Sequence, residues 1–145
     1  MGKDVLIYIK GTQNIDGEKD SIEMTTTGRY YKKRDARYIS YKEMEEDDTD
    51  FTIKTLLKVE GTKCVTMTRS GKHRSQLVIE NGERHQCYYN NGIADWTMGI
   101  EGYEIENDLQ DNGGILNFKY SMDINAMLTS EHEVNIVVRE CKTDA

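Results

Sequence analysis

The stretch Leu-Asn-Phe-Lys-Tyr-Ser-Met-Asp-Ile at residues 116–124 places an apolar or aromatic residue at every second position. A period of two is typical of a β-strand that buries one face and exposes the other to water. Residues 134–138 repeat the pattern, with Val134, Ile136 and Val138 on one face. The alternation therefore predicts strands rather than helices.

The same alternation recurs along the chain, and we interpret it as about ten short strands at roughly 8–12-residue spacing. The turns contain Gly, Asn and Asp, as in Asn81-Gly82, and the chain has no proline. Proline removes a donor from a β-ladder, so a chain of paired strands can do without it. We predict an all-β fold, a single closed or nearly closed antiparallel barrel of about 8–10 strands. At most one short helical turn is expected, at residues 125–131.

Composition predicts one domain, residues 1–145, because domains usually have about 100–200 residues. The chain has 26 acidic and 19 basic residues and a net charge of -7. This balance argues against binding to nucleic acid or to an anionic membrane surface.

The expected location is the cytoplasm. Residues 1–10 contain no long apolar run of the signal-peptide type, and no stretch approaches the roughly 20 apolar residues of a membrane-spanning helix. The three cysteines are an odd number without a Cys-x-x-Cys pair, which predicts reduced thiols.

Motifs that would indicate a catalytic or metal site are weak. The chain contains no phosphate-binding loop and no Gly-x-Ser-x-Gly nucleophile elbow. His85 and Cys87 share one face of a strand, but two ligands do not make a metal site. We therefore expect no metal and no cofactor.

Two charged residues fall on apolar faces. Glu43 follows Ile39 and Tyr41 on one strand, and Arg69 follows Val65 and Met67 on another. A buried charge is costly unless it is paired. Two interpretations remain open: a structural ion pair between Glu43 and Arg69 at a barrel end, or a polar rim for a ligand.

Tyrosine is the most frequent aromatic residue, with nine copies against two Phe and one Trp. Its apolar ring and polar hydroxyl suit the mouth of a barrel, either as ligand contacts or as residues that straddle the end. Trp96 is predicted to fill the core between Ala94 and Met98. The candidate ligand-binding residues are Tyr41, Glu43, Arg69, His73, Trp96 and Tyr120.

The order of several short stretches resembles the YwiB-like family of small bacterial proteins. The matching stretches are residues 5–11, 38–43, 52–58, 65–71 and 115–122, and they extend over nearly the whole chain. The resemblance implies a calycin-like (lipocalin-like) β-barrel in a bacterial cytoplasm. The family has no known function, so the resemblance supplies no catalytic residues.

The leading functional hypothesis is a binding module that holds a small, partly apolar ligand at one barrel mouth. The alternative is a structural or protein-interaction barrel, such as a homodimer. An enzyme that uses Glu43 as a general base and Arg69 as an anion clamp is less favoured. A general base needs a pKa near neutrality, whereas an adjacent arginine lowers the pKa of a glutamate.

Overall fold

A computed structural model of the chain describes residues 2–45, 48–71, 74–90, 93–124 and 127–141, with the backbone alone at residues 43–45 and 48–52. The described residues form ten β-strands and no helix. The strands are β1 (Lys3–Ile15), β2 (Glu18–Lys33), β3 (Ala36–Glu45), β4 (Asp48–Glu60), β5 (Cys64–Ser70), β6 (Arg74–Glu80), β7 (Arg84–Asn90), β8 (Asp95–Gln110), β9 (Gly113–Ile124) and β10 (Met127–Glu140). No helix that could cross a membrane is found in this part of the chain.

The ten strands close into one antiparallel barrel. Each strand pairs with its neighbour in sequence, and β1 pairs with β10 to complete the ring. Closure leaves no free edge at which another chain could add a strand. The predicted all-β antiparallel barrel is thus confirmed.

The barrel has two ends, which differ in the hairpins they carry. We call the end with the β1–β2, β3–β4, β5–β6, β7–β8 and β9–β10 connections the mouth, and the opposite end the floor. The first connection at the mouth is the two-residue turn Asp16-Gly17, with φ angles of 52° and 84°. Two positive φ angles are characteristic of the type I′ turn, whose twist matches that of the flanking strands.

The core lies inside the barrel, where the inward residues of successive strands meet. Its largest fully buried side chains are Tyr30, Phe118, Ile7, Ile39, Leu57, Ile79, Ile100, Leu116, Ile136, Val5, Val59 and Val65. The apolar residues that alternate in the sequence are therefore the ones that point into the barrel.

The floor is closed by a hydrogen-bonded group around Tyr30. The Tyr30 hydroxyl donates to the Gln110 carbonyl at 2.6 Å and accepts from the Arg37 guanidinium at 3.2 Å. Arg37 in turn forms an ion pair with Asp111 at 3.1 Å. These contacts connect β2 and β3 to the end of β8 across the floor, and they provide hydrogen-bond partners for the polar groups at this end.

Two local predictions need correction. The helical turn expected at 125–131 is strand from Met127 onward, with a register shift between Leu128 and Ser130; residues 125 and 126 lie outside the described ranges. Trp96 does not fill the core, since its side chain is 50% exposed. It alternates in phase with Met98 and Ile100 but stands at the mouth end of β8, where its neighbours no longer cover it.

Candidate functional site

A row of inward residues crosses three neighbouring strands near the mouth. In register, Tyr41 on β3 pairs with Thr55 on β4, and Thr55 pairs with Arg69 on β5. Cross-strand partners have Cβ atoms about 4.5–5.5 Å apart, so the three side chains are neighbours. Thr55 is fully buried, whereas Arg69 keeps partial exposure.

A cavity of about 450 Å³ lies at the mouth, above the apolar core. Its volume falls within the range of about 300–1,000 Å³ that is typical of small-molecule sites. The apolar part of its lining consists of Ile9, Ile22, Met24, Met67 and Val134. The aromatic and basic part consists of Tyr41, Arg69, Tyr120 and His132. The other lining residues are Gly11, Thr12, Gln13, Asp20, Ser21 and Glu133, so apolar and polar side chains share the lining.

Tyr120 and His132 form one wall of this mouth cavity. They are cross-strand partners on β9 and β10, and their rings stack with centroids 4.8 Å apart. His132 Nε2 also shares a hydrogen bond of 2.7 Å with the Ser130 hydroxyl, whose donor depends on the tautomer. The stack and the hydrogen bond hold the His132 imidazole against the Tyr120 ring.

Burial favours the neutral form of both side chains in this wall. It raises the pKa of Tyr120 to about 12, although the positive charge of Arg69 opposes the rise. Burial also lowers the pKa of His132 below its usual value. At neutral pH the Tyr120 hydroxyl is therefore a protonated donor, and the His132 ring is uncharged.

Thr55 carries the one buried side-chain polar atom without a hydrogen-bond partner among the described residues, its Oγ1. Buried hydroxyls are usually satisfied, because an unmade hydrogen bond keeps the full cost of desolvation. This atom stands between Tyr41 and Arg69, two residues that line the mouth cavity.

A family model described as "Domain of unknown function (DUF1934)" matches residues 7–136, which include most of the barrel and every residue of the wall. The chain belongs to this family.

Two further comparisons agree with this assignment. The chain is 26% identical over 132 residues to "Uncharacterized beta-barrel protein YwiB" of Bacillus subtilis, covering 91% of this chain and 90% of that protein. The crystal structure of the ywiB protein from Bacillus subtilis matches with a TM-score of 0.84 and 25% identity, over 97% of this chain and 94% of that one. The resemblance drawn from the sequence is confirmed, and the barrel is the fold of a family whose function is unknown.

Three of the six predicted site residues line the mouth cavity together: Tyr41, Arg69 and Tyr120. Trp96 is at the same end of the barrel but is not among the lining residues. His73 and the side chain of Glu43 lie outside the described residues, so both interpretations of Glu43 and Arg69, a structural ion pair and a polar rim for a ligand, stay predictions.

His132 and Thr55 are the site residues that sequence reasoning missed. His132 alternates in phase with Val134, Ile136 and Val138, so the pattern of β10 already placed it on the inward face. Thr55 alternates with Leu57 and Val59 in the same way. The alternation thus indicated both inward positions. A polar residue on an apolar face is also typical of a strand end, and only the strand pairing distinguishes the two cases.

Other reactive groups do not assemble into a recognisable centre. Cys87 is buried and its sulfur accepts a hydrogen bond from the Val78 amide at 3.3 Å, whereas His85 pairs with Glu80 at 2.8 Å. The described residues contain no group of three potential metal ligands. Ser130 and His132 have the spacing of a nucleophile and its base. However, Ser130 is buried and does not line the cavity, which favours a structural role.

Proposed function

We propose that this protein is a binding module that holds a small, partly apolar ligand in the mouth cavity. The observation that carries the proposal is the contrast between the two barrel ends. The Tyr30 group closes the floor, whereas about 450 Å³ at the mouth is lined by both aliphatic and polar side chains. A barrel whose interior is not filled by its own side chains can hold a ligand.

The test is binding of a neutral apolar probe, phenylnaphthylamine, whose fluorescence rises when it leaves water. We expect saturable binding to the purified protein. Ile9→Trp should abolish binding, because Ile9 lines the cavity and the larger ring fills it. Tyr8→Trp is the matched control, since Tyr8 is the adjacent residue on the outer face of β1. Native mass spectrometry of freshly purified protein should show any ligand carried from the cell.

Absence of saturable binding, or equal binding by the Ile9→Trp and Tyr8→Trp variants, would contradict the proposal. The first result would mean that the cavity does not accept apolar molecules. The second would place the probe elsewhere on the surface.

The alternative function is an interaction barrel that forms a homodimer through its mouth. The observation that favours it is the exposure of apolar residues at this end, with Ile22 at 76% and Met127 at 74%. Exposed apolar surface of sufficient extent marks interaction sites. Light scattering distinguishes the two functions: a dimer that Met127→Glu converts to a monomer supports the alternative, and a monomer at all concentrations contradicts it.

A further inference from the structure

We infer that the ligand of the mouth cavity is an apolar carboxylate, a molecule with one planar negative group that Arg69 binds and an apolar body that the aliphatic wall covers. This inference rests on the proposed function and names its ligand class.

Arg69 is placed to bind such a group. It stands on the inward row beside Thr55, lines the cavity, and is close enough to Tyr120 for its charge to act on that hydroxyl. A guanidinium has five N–H donors in a planar fork that matches the two oxygens of a carboxylate. Arg69 can therefore hold a ligand carboxylate in addition to any contact it makes within the protein.

Hydroxyl donors lie around the same point. Tyr41 and Tyr120 line the cavity, and the Tyr120 hydroxyl keeps its proton at neutral pH. A carboxylate accepts about four hydrogen bonds, so beside the guanidinium it can also accept from a hydroxyl such as that of Tyr120.

The charges of the lining favour a single negative charge over a double one. Among the described residues that line the cavity, Arg69 is the one permanent cation, and Asp20 and Glu133 are acidic. His132 adds no charge at neutral pH, because burial lowers its pKa. A carboxylate and a dianion such as a phosphate ester would meet the same three charges. The single charge of the carboxylate is held by the bidentate contact with Arg69, whereas the second charge of the dianion adds repulsion from Asp20 and Glu133 without a second cation.

The apolar body of the ligand would contact Ile9, Met24, Met67 and Val134. Methionine side chains are flexible and polarizable, so Met24 and Met67 allow the apolar part of the lining to adapt to an aromatic or an aliphatic ligand body. The lining residues thus restrict the charge of the ligand more than they restrict the shape of its apolar body.

The test compares two probes of nearly equal size, naphthaleneacetic acid and its neutral amide, as competitors of bound phenylnaphthylamine. We expect the acid to displace the probe at a concentration at least about tenfold lower than the amide, as a charge-assisted bidentate contact implies. In Arg69→Met the acid should become no better than the amide. Arg69→Gln, which retains hydrogen-bonding groups without the charge, serves if the first variant does not fold. Arg139→Met, a loss of the same charge at an exposed position on β10, should keep the preference.

Naphthyl phosphate supplies the remaining comparison, and we expect it to compete less well than the acid. Equal competition by acid and amide, a preference that survives in both Arg69 variants, or tighter binding of the phosphate would each overturn the inference. These outcomes are distinct from failure of the proposed function, in which phenylnaphthylamine itself does not bind.

Discussion

Tyr120 and His132 face each other across β9 and β10, with ring planes only 10° apart and centroids separated by 4.8 Å. The stack forms a wall of the mouth cavity, and the His132 ring is also hydrogen-bonded to the Ser130 hydroxyl. A flat aromatic wall in a cavity that also has aliphatic lining residues suits an apolar ligand body, and both rings are uncharged at neutral pH.

His132 should make stability depend on pH. Burial lowers its folded-state pKa below the usual 6.5, so the unfolded chain binds the proton more readily than the folded one. The stabilisation is therefore present above pH 6.5 and is lost as pH falls through the folded-state pKa. Urea unfolding of the wild type should show a steeper acidic loss than His132→Gln. A His132 ring that titrates by NMR at or above 6.5 would contradict the prediction.

Thr55→Val should leave the free energy of unfolding unchanged or raise it by about 1 kcal/mol, because the variant replaces a buried hydroxyl without a partner by a methyl of the same shape. Ser130→Ala is the contrast, since that hydroxyl is bonded to His132 at 2.7 Å. Its loss should cost about 1 kcal/mol. Urea unfolding measures both. A Thr55→Val protein that is less stable than Ser130→Ala would show that Thr55 Oγ1 does have a partner.

Gly28→Ala should destabilise the barrel by about 1–3 kcal/mol through overpacking. A Cβ at Gly28 would overlap the Ser40 carbonyl oxygen and lie 2.7 Å from Ile7 Cδ1, so the adjoining strands would have to move apart. Gly11→Ala is the control, because a Cβ there meets nothing within 4 Å. Chemical unfolding should show no loss of stability for this control. Similar stabilities for the two variants would mean that β2 and β3 separate without cost.

Tyr30→Phe should destabilise the floor by about 1–3 kcal/mol, since it removes one hydrogen bond to the Gln110 carbonyl and one from the charged Arg37. Tyr88→Phe, at a tyrosine that is 67% exposed, is the control and should have little effect. Thermal and urea unfolding of both variants provide the measurement. If Tyr30→Phe is as stable as the wild type, water replaces the Tyr30 hydroxyl as the partner of Gln110 and Arg37 without loss.

The sequence by itself determined the class of fold and the inward face of most strands. Alternation is a local property, because successive side chains of a strand point to opposite faces whatever the strand pairs with. It was therefore sufficient to place Leu116, Phe118 and Tyr120 inside the barrel and to place Arg69 in phase with Val65 and Met67.

The tertiary structure alone decided which inward residues stand at the same height. Height depends on register, which is fixed by pairing between strands and by bulges such as the one between Gly102 and Glu104. Register brings His132 against Tyr120 and Thr55 between Tyr41 and Arg69, and it leaves Trp96 half-exposed at the end of β8. A period of two cannot encode these distances, because every shift by two residues preserves the inward face and moves the side chain to another level of the barrel.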